Sequence, residues 1–245
     1  MLSVEPGAIT RIRLDRPSIS DAVLTELHGA LDAVERNAEC RVVVIEGADA
    51  VFCAGMDFAD DAATSDADSA REFFRLLRRL TETPHTVLAK VVGRASGGGV
   101  GLAAACDVVV AGPEAVFGLP ELLWGLLPCC VLPFLIRRVG FQTAYAMTVT
   151  TQPVTAEQAK LSRLVDEVSA DPEQVIRRIA FRSLRLTESA VREAKRYCAS
   201  LAPITPDVED RAVAELARLL GTSEVRAAMG AFAQRQQFPW HRAAR

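Results

Sequence analysis

Two short stretches of this chain hold residues whose types and spacing could do chemistry. The first is "ASGGGVGLAAACD" at 95–107, where three consecutive glycines and a fourth, Gly101, run into small apolar residues. The second is "CAGMD" at 53–57. A glycine turn that opens a short helix presents backbone N–H groups with no helical acceptor, at the positive end of the helix dipole. Glycines also let a substrate approach the backbone closely. Those are the parts of an oxyanion hole. The glycine stretch supplies one donor, and "CAGMD", also at the end of a strand, is the natural source of a second.

Other chemistries fit less well. "GVGLAA" at 99–104 matches G-x-G-x-x-A, a weak dinucleotide fingerprint. Too few residues separate Gly101 from the next strand for a crossover helix of normal length, and no acidic residue closes that strand to receive a ribose hydroxyl. A P-loop is excluded because no G-K-[ST] follows. Ser96 lies in "GRASGG", which is not the G-x-S-x-G of a nucleophile elbow. Of three histidines, His28 reads as a surface residue and His85 as structural, which leaves His241 in "FPWHR" as a functional candidate. The six cysteines form no C-x-x-C pair and have no histidine at ligand spacing, so they read as small buried hydrophobes, and no metal site is expected.

The elements that must position these loops are readable from periodicity. "AITRIRL" (8–14), "RVVVIEG" (41–47), "VFCAGMD" (51–57), "TVLAKVVG" (86–93) and "CDVVVAG" (106–112) read as strands. A helix capped by Ser20 or Asp21 runs to about Arg36, with Leu24, Leu27, Leu31 and Val34 on one face. "SAREFFRLLRRLTET" is an amphipathic helix stopped near Pro84, and the acidic stretch 58–69 before it reads as a solvated loop. After Pro120 the pattern turns helical, with a helix start at Thr155, a brief strand near 164–168, and three or four helices from Pro172 to Gln237. Strand–helix units followed by an α tail predict a layered α/β core, 1–170, with a helical C-terminal region, 171–245. No internal repeat is apparent.

Composition sets outer bounds. The 245 residues suit one sizeable domain, and half of them are hydrophobic. A net charge of −3 and a pI of about 5.7 give no electrostatic footprint for nucleic acid. No stretch is long and apolar enough to span a membrane, and the N-terminus has no signal-peptide pattern, so a cytoplasmic protein is expected.

In order along the chain, "VFCAGMDF", "GGGVGLAAACDVVVAGPEAVFGLPELLWGLLP" and "VTAEQAKLSRLVDEV" resemble the crotonase (enoyl-CoA hydratase/isomerase) superfamily over about residues 9–168. The resemblance implies a spiral of ββα units, a C-terminal helical trimerisation region, a thioester substrate and no cofactor beyond the carrier of that thioester. It assigns the oxyanion hole to the N–H groups of Met56 and Gly98. It assigns a catalytic carboxylate to Glu121, in "GLPE". A glutamate against an apolar wall would have a raised pKa, suited to moving a proton at neutral pH. Hydratases hold a second glutamate three residues after the middle glycine, and here that position is Gly101. Ala54, Asp57, Lys90 and Gly99 complete the expected substrate-binding set, with Asp57 tying down its loop.

Further departures point in one direction. The basic-Asn-Ala turn that helps hold the CoA nucleotide is replaced by "RPSISDAVL", and the usual G-A-G-G after the family proline is replaced within "LPCCVLPFLIRRVG". Lys90 stands where a small apolar residue is usual. These features are similar to the hydratase-like proteins of polyketide β-branching cassettes, which dehydrate 3-hydroxy-3-methylglutaryl on an acyl carrier protein. A carrier delivers only the pantetheine arm, so no nucleotide clamp is needed. The resemblance then implies that Glu121 moves protons for loss of water and that Lys90 pairs with the distal carboxylate. A partner decarboxylase of the same cassettes, a CoA-dependent hydratase and a non-catalytic binding protein are the rival readings. The acidic loop after "CAGMDF" disfavours the decarboxylase, and His241 is its best support.

Overall fold

The computed structural model describes residues 2–48, 50–56 and 67–235. The chain opens with β1 (Leu2–Glu5), β2 (Ile9–Leu14), β3 (Ser18–Ile19) and helix α1 (Asp21–Arg36). Ser20 caps α1, its Oγ accepting from the Val23 amide at 3.4 Å, a device worth ~1 kcal/mol. The buried face of α1 is Val23, Leu24, Leu27, Leu31 and Val34, the spacing expected of an amphipathic helix.

A unit then repeats. β4 (Val42–Gly47) is followed by β5 (Val51–Cys53), β6 (Gly55–Met56) and α2 (Ala67–Glu82). β7 (Thr86–Val91) is followed by β8 (Arg94–Ser96) and α3 (Gly98–Ala105). β9 (Val108–Ala111) is followed by β10 (Val116–Gly118), a 3-10 helix (Glu121–Trp124) and α4 (Leu132–Val139). Each turn gives one strand to a large sheet, one to a smaller sheet, and then a helix. The chain continues through α5 (Phe141–Thr150), β11 (Val154–Thr155), α6 (Ala156–Leu161) and β12 (Glu167–Val168). It ends in α7 (Pro172–Ser183), α8 (Glu188–Leu201), α9 (Pro206–Leu220) and α10 (Ser223–Arg235).

The large sheet has the order β1-β2-β4-β7-β9-β12, parallel except for the β1–β2 pair. The smaller one has the order β11-β10-β8-β5, and β3 pairs with β6. The expectation of no internal repeat is therefore corrected. Its signal is a β-branched strand ending in glycine: "VVVIEG", "LAKVVG" and "VVVAG". Unequal spacing hid it. The glycine is required because the chain turns a corner against the turn before it: a Cβ at Gly93 would stand 1.7 Å from the Ala50 carbonyl oxygen.

The large sheet has two covered faces. Val43, Ile45, Val87, Ala89 and Val91 point into the main core with α1, α2 and α3. The alternate residues Val42, Val44 and Leu88 point the other way, onto Val175, Ile176 and Ala180 of α7. Runs apolar on both faces are what a buried parallel sheet requires.

Candidate active site

The glycine loop sits where β8 ends and α3 begins. All eight residues of α3 are buried, and Gly97 before it has φ +53°, which a side-chain-bearing residue rarely adopts. The Gly97 amide donates to the Gly118 carbonyl at 2.9 Å, pinning this loop to the end of β10. Gly101 and Val100 donate back to the Gly97 carbonyl, which closes the first turn. The second loop arrives from β5. The Ala54 amide is engaged, donating to the Pro17 carbonyl at 2.5 Å. Gly55, at φ +97°, then turns the chain so that Met56 comes beside the helix start. A Cβ at Gly98 would stand 3.5 Å from the Met56 nitrogen. The backbones of Gly98 and Met56 thus lie side by side. Gly99 packs against β5 instead, since a Cβ there would meet the Cys53 carbonyl oxygen at 2.4 Å.

Glu121 reaches this loop from the third turn. Pro120 precedes the 3-10 helix, and the left-handed Gly125 (φ +78°) ends it, with Leu126 N donating to the Glu121 carbonyl at 3.0 Å. The carboxyl lies against the glycine turn: a Cβ at Gly97 would be 2.9 Å from Glu121 Oε1. Oε2 is shut off from solvent and has no hydrogen-bond partner among the described residues. Burial pushes the Glu121 carboxyl up to about 7, offset in part by its own backbone amide. The thiol of Cys53, behind Gly99, is pushed up to about 12 by burial.

The place of the second hydratase carboxylate is closed as well as empty. A Cβ at Gly101 would stand 2.9 Å from Val131 Cγ2, 3.2 Å from Leu77 Cδ1 and 3.5 Å from Phe73 Cζ. Sequence reasoning missed this wall, because Phe73 and Leu77 read simply as the core face of α2 and Val131 lies in an irregular stretch.

Lys90 requires correction. It alternates with Ala89 and Val91, which face the main core, so it lies on the α7 side of the sheet, away from the glycine loop. There Nζ lies 2.9 Å from Glu46 and 3.3 Å from Glu173, and Arg11 joins the same carboxylates. A cavity of about 50 Å³ adjoins Lys90, lined also by Glu46 and Phe52. A larger one, about 330 Å³ and mostly apolar, lies under α8 near Leu186, Val191 and Lys195. Lys195 there is tied to Asp107 at 2.7 Å.

Asp57 and His241 lie outside the described residues. His28 is half-buried, its Nε2 3.3 Å from the Glu72 carbonyl. His85 is buried without a hydrogen-bond partner among the described residues, and burial pulls its pKa down. Of the six unpaired cysteines, five are buried and Cys198 is exposed. No cluster of metal-ligating side chains occurs among the described residues, and no described helix is long and apolar enough to cross a membrane.

Two glycine-loop amides beside a buried glutamate, on a ββα spiral, can be compared with known proteins. The enoyl-CoA hydratase/isomerase family profile matches residues 5–243. The chain belongs to that family. This makes it an enzyme of the hydratase and dehydratase kind. The bacillaene synthase dehydratase PksH of Bacillus subtilis is 31% identical over 243 residues, covering 96% of this chain and 93% of that one. The crystal structure of PksH from Bacillus subtilis superposes with a TM-score of 0.92 at 29% identity, over 97% of this chain and 98% of that one. The 2,3-dehydroadipyl-CoA hydratase of Escherichia coli is 36% identical over 163 residues, covering 64% of each chain.

Proposed function

We propose that this family member dehydrates a 3-hydroxy-3-methylglutaryl thioester, borne on an acyl carrier protein, to the 3-methylglutaconyl thioester, in polyketide β-branching and without a further cofactor. The observation that carries this reading is the site itself: one buried glutamate against the glycine loop, with the place of the second carboxylate filled by Val131, Leu77 and Phe73. That arrangement departs from two-carboxylate hydration. Likeness along nearly the whole chain to PksH, a dehydratase of bacillaene synthase, supports water loss as the reaction.

In the proposed reaction the Met56 and Gly98 amides hold the thioester oxygen as charge develops on it, and Glu121 removes the proton at C2. Asp57 is assigned to the loop that holds Met56. Each donor of an oxyanion hole is worth about 10²–10³ in rate. A homotrimer is the assembly we assign.

A CoA-dependent hydratase is the second reading, favoured by the identity to 2,3-dehydroadipyl-CoA hydratase over the core. Presenting the same acyl group on carrier protein and on CoA separates the two. The first reading expects faster water loss from the carrier, and a clear preference for CoA supports the second. Loss of CO2 from the methylglutaconyl carrier, with no water loss from its precursor, would identify a decarboxylase.

A further inference from the structure

The two halves of the site stand on different elements, and each is backed from behind. The Gly98 and Met56 backbones form one half. Behind them is α2, whose Phe73 puts Cζ 3.2 Å from where a Cβ at Gly98 would be. Glu121 on the 3-10 helix forms the other half. Behind it is α10, whose buried Val225 puts Cγ2 3.3 Å from where a Cβ at Gly125 would be. Gly125 closes the 3-10 helix at φ +78°, its amide donating to the Leu122 carbonyl at 3.1 Å. A 3-10 helix of four residues has poor internal hydrogen-bond geometry, so what packs on its end helps to set its position.

The two backing elements are also joined to each other. α9 leads into α10 through Gly221 and Thr222, and Thr222 Oγ1 accepts from the Val225 amide at 3.4 Å. α9 in turn is fixed to α2. Glu209 is 4% exposed and meets Arg71 at 3.3 Å, Arg75 at 3.2 Å and Arg78 at 2.7 Å, on the helix that carries Phe73. Ala212 and Val213, one turn further along α9, enter the main core. α9 also reaches the edge of the site. The Cys129 thiol is pushed up to about 11 by burial, then by the charges of Glu215 on α9 and of Glu121. A closed path of contacts therefore runs from the glycine loop through α2, α9 and α10 to the 3-10 helix, and back to Gly97 through Glu121.

Resting on the dehydratase reading above, we propose that the α9–α10 hairpin is a clamp that fixes the spacing between the oxyanion amides and Glu121. Val225 is the positioning residue for the glutamate half, and Glu209 for the oxyanion half. Neither touches the reacting atoms. Without the Val225 contact the end of the 3-10 helix can shift, and water can reach the carboxyl. Without the Glu209 charge α2 loosens, and Phe73 with it, while the carboxyl stays covered. A displacement of about 1 Å at a reacting group costs up to about 10²-fold in rate.

Two readouts on the full chain test the clamp. The first is the ionisation of Glu121, followed against pH by infrared difference spectra of its carboxyl, with Glu121→Gln identifying the band. It needs no substrate. The second is kcat and KM for water loss from the hydroxymethylglutaryl carrier, with kcat referred to the folded fraction measured by circular dichroism. In the wild type burial puts the carboxyl midpoint at about 7. Val225→Ala should lower that midpoint toward the ordinary 4.5 and cut kcat by about 10-fold or more, with KM little changed. Glu209→Gln should cut kcat too and leave the midpoint near 7. Gly125→Ala crowds Val225 from the other side, so adding Val225→Ala to it should restore part of the lost kcat. A Val225→Ala midpoint equal to that of the wild type overturns the clamp. So does an unchanged kcat per folded enzyme in Val225→Ala and Glu209→Gln, or a double variant no faster than Gly125→Ala. Absence of water loss from the wild type, on carrier and CoA forms alike, overturns the dehydratase reading, and the infrared midpoints still decide the clamp.

Discussion

Glu121 is stable where it sits only because it can be neutral. Its carboxyl holds a proton up to about pH 7, against an ordinary value of 4.5, because burial penalises the charge. Two outcomes follow, with opposite signs. As the base for C2 it must be ionised, so kcat/KM should rise with pH about a midpoint near 7. Stability runs the other way. The folded protein binds the extra proton between about pH 4.5 and 7, so the Glu121 contribution is fully present below that window and is lost as pH rises through it. Glu121→Gln lacks that loss. Thermal melts should show the variant gaining on the wild type from about pH 4.5 to 7, with a constant gap above, while its turnover falls by about 10²-fold or more. A second residue-scale outcome concerns Gly101. Restoring a glutamate there should not restore two-carboxylate hydration, because Val131 and Leu77 occupy the space. Gly101→Glu should instead cost ~1–3 kcal/mol by overpacking, read from denaturant midpoints. Glycine at 101 was legible in the sequence as a missing carboxylate, but the filled space was not. That depends on Val131 approaching from thirty residues downstream in the chain, which no local pattern encodes.

The elements explain what could and could not be read in advance. α1 and α2 follow the amphipathic spacing of their sequences because one face of each enters a single core. β4 and β7 appear as apolar runs because the sheet is covered on both sides. That same two-sided burial misled the reading of Lys90. In such a run, which face a residue takes depends on the pairing register, and the pairing of Glu46 with Lys90 sends both side chains toward α7. The strands β8 and β10 are three residues each, too short to carry a period, so the smaller sheet that aims the glycine loop was not foreseen. A further link was invisible because its partners lie far apart in sequence. Glu209 of α9 is almost fully buried and meets Arg71, Arg75 and Arg78 of α2 within 3.3 Å. α2 carries Phe73, whose ring would stand 3.2 Å from a Cβ at Gly98. Glu209→Gln leaves three guanidinium groups facing a neutral side chain. They are half-exposed and can turn to water, so the expected cost is ~1–3 kcal/mol, below that of a fully buried pair. Denaturant titration measures it, and amide hydrogen exchange should show α2 and α9 loosening ahead of β4 and β7.

At the scale of the whole molecule, several large apolar side chains of the late helices are left exposed. α8 buries none of its residues and exposes Tyr197 and Leu201. α5 exposes Phe141, Tyr145 and Val149 at helical spacing, with the first two rings stacked 5.8 Å apart. Leu161, Phe181 and Leu186 are exposed as well. Clustered apolar side chains left exposed on a protein surface mark association. Light scattering should give about three times the 26.4 kDa of one chain, and Tyr145→Glu with Tyr197→Glu should lower it. The α/β class and the late helices were legible because the pattern turns helical after Pro120. The packing of α7 onto the sheet was not, because its apolar face reads the same whether it meets its own chain or another. The central claim, that one buried glutamate dehydrates a carrier-borne hydroxy thioester, is tested most directly by the intact mass of the carrier. The hydroxymethylglutaryl form is incubated with the wild type and with Glu121→Gln. Loss of one water with the wild type, and its suppression in the variant, is the predicted result. An unchanged mass with the wild type, or equal loss with both, contradicts it.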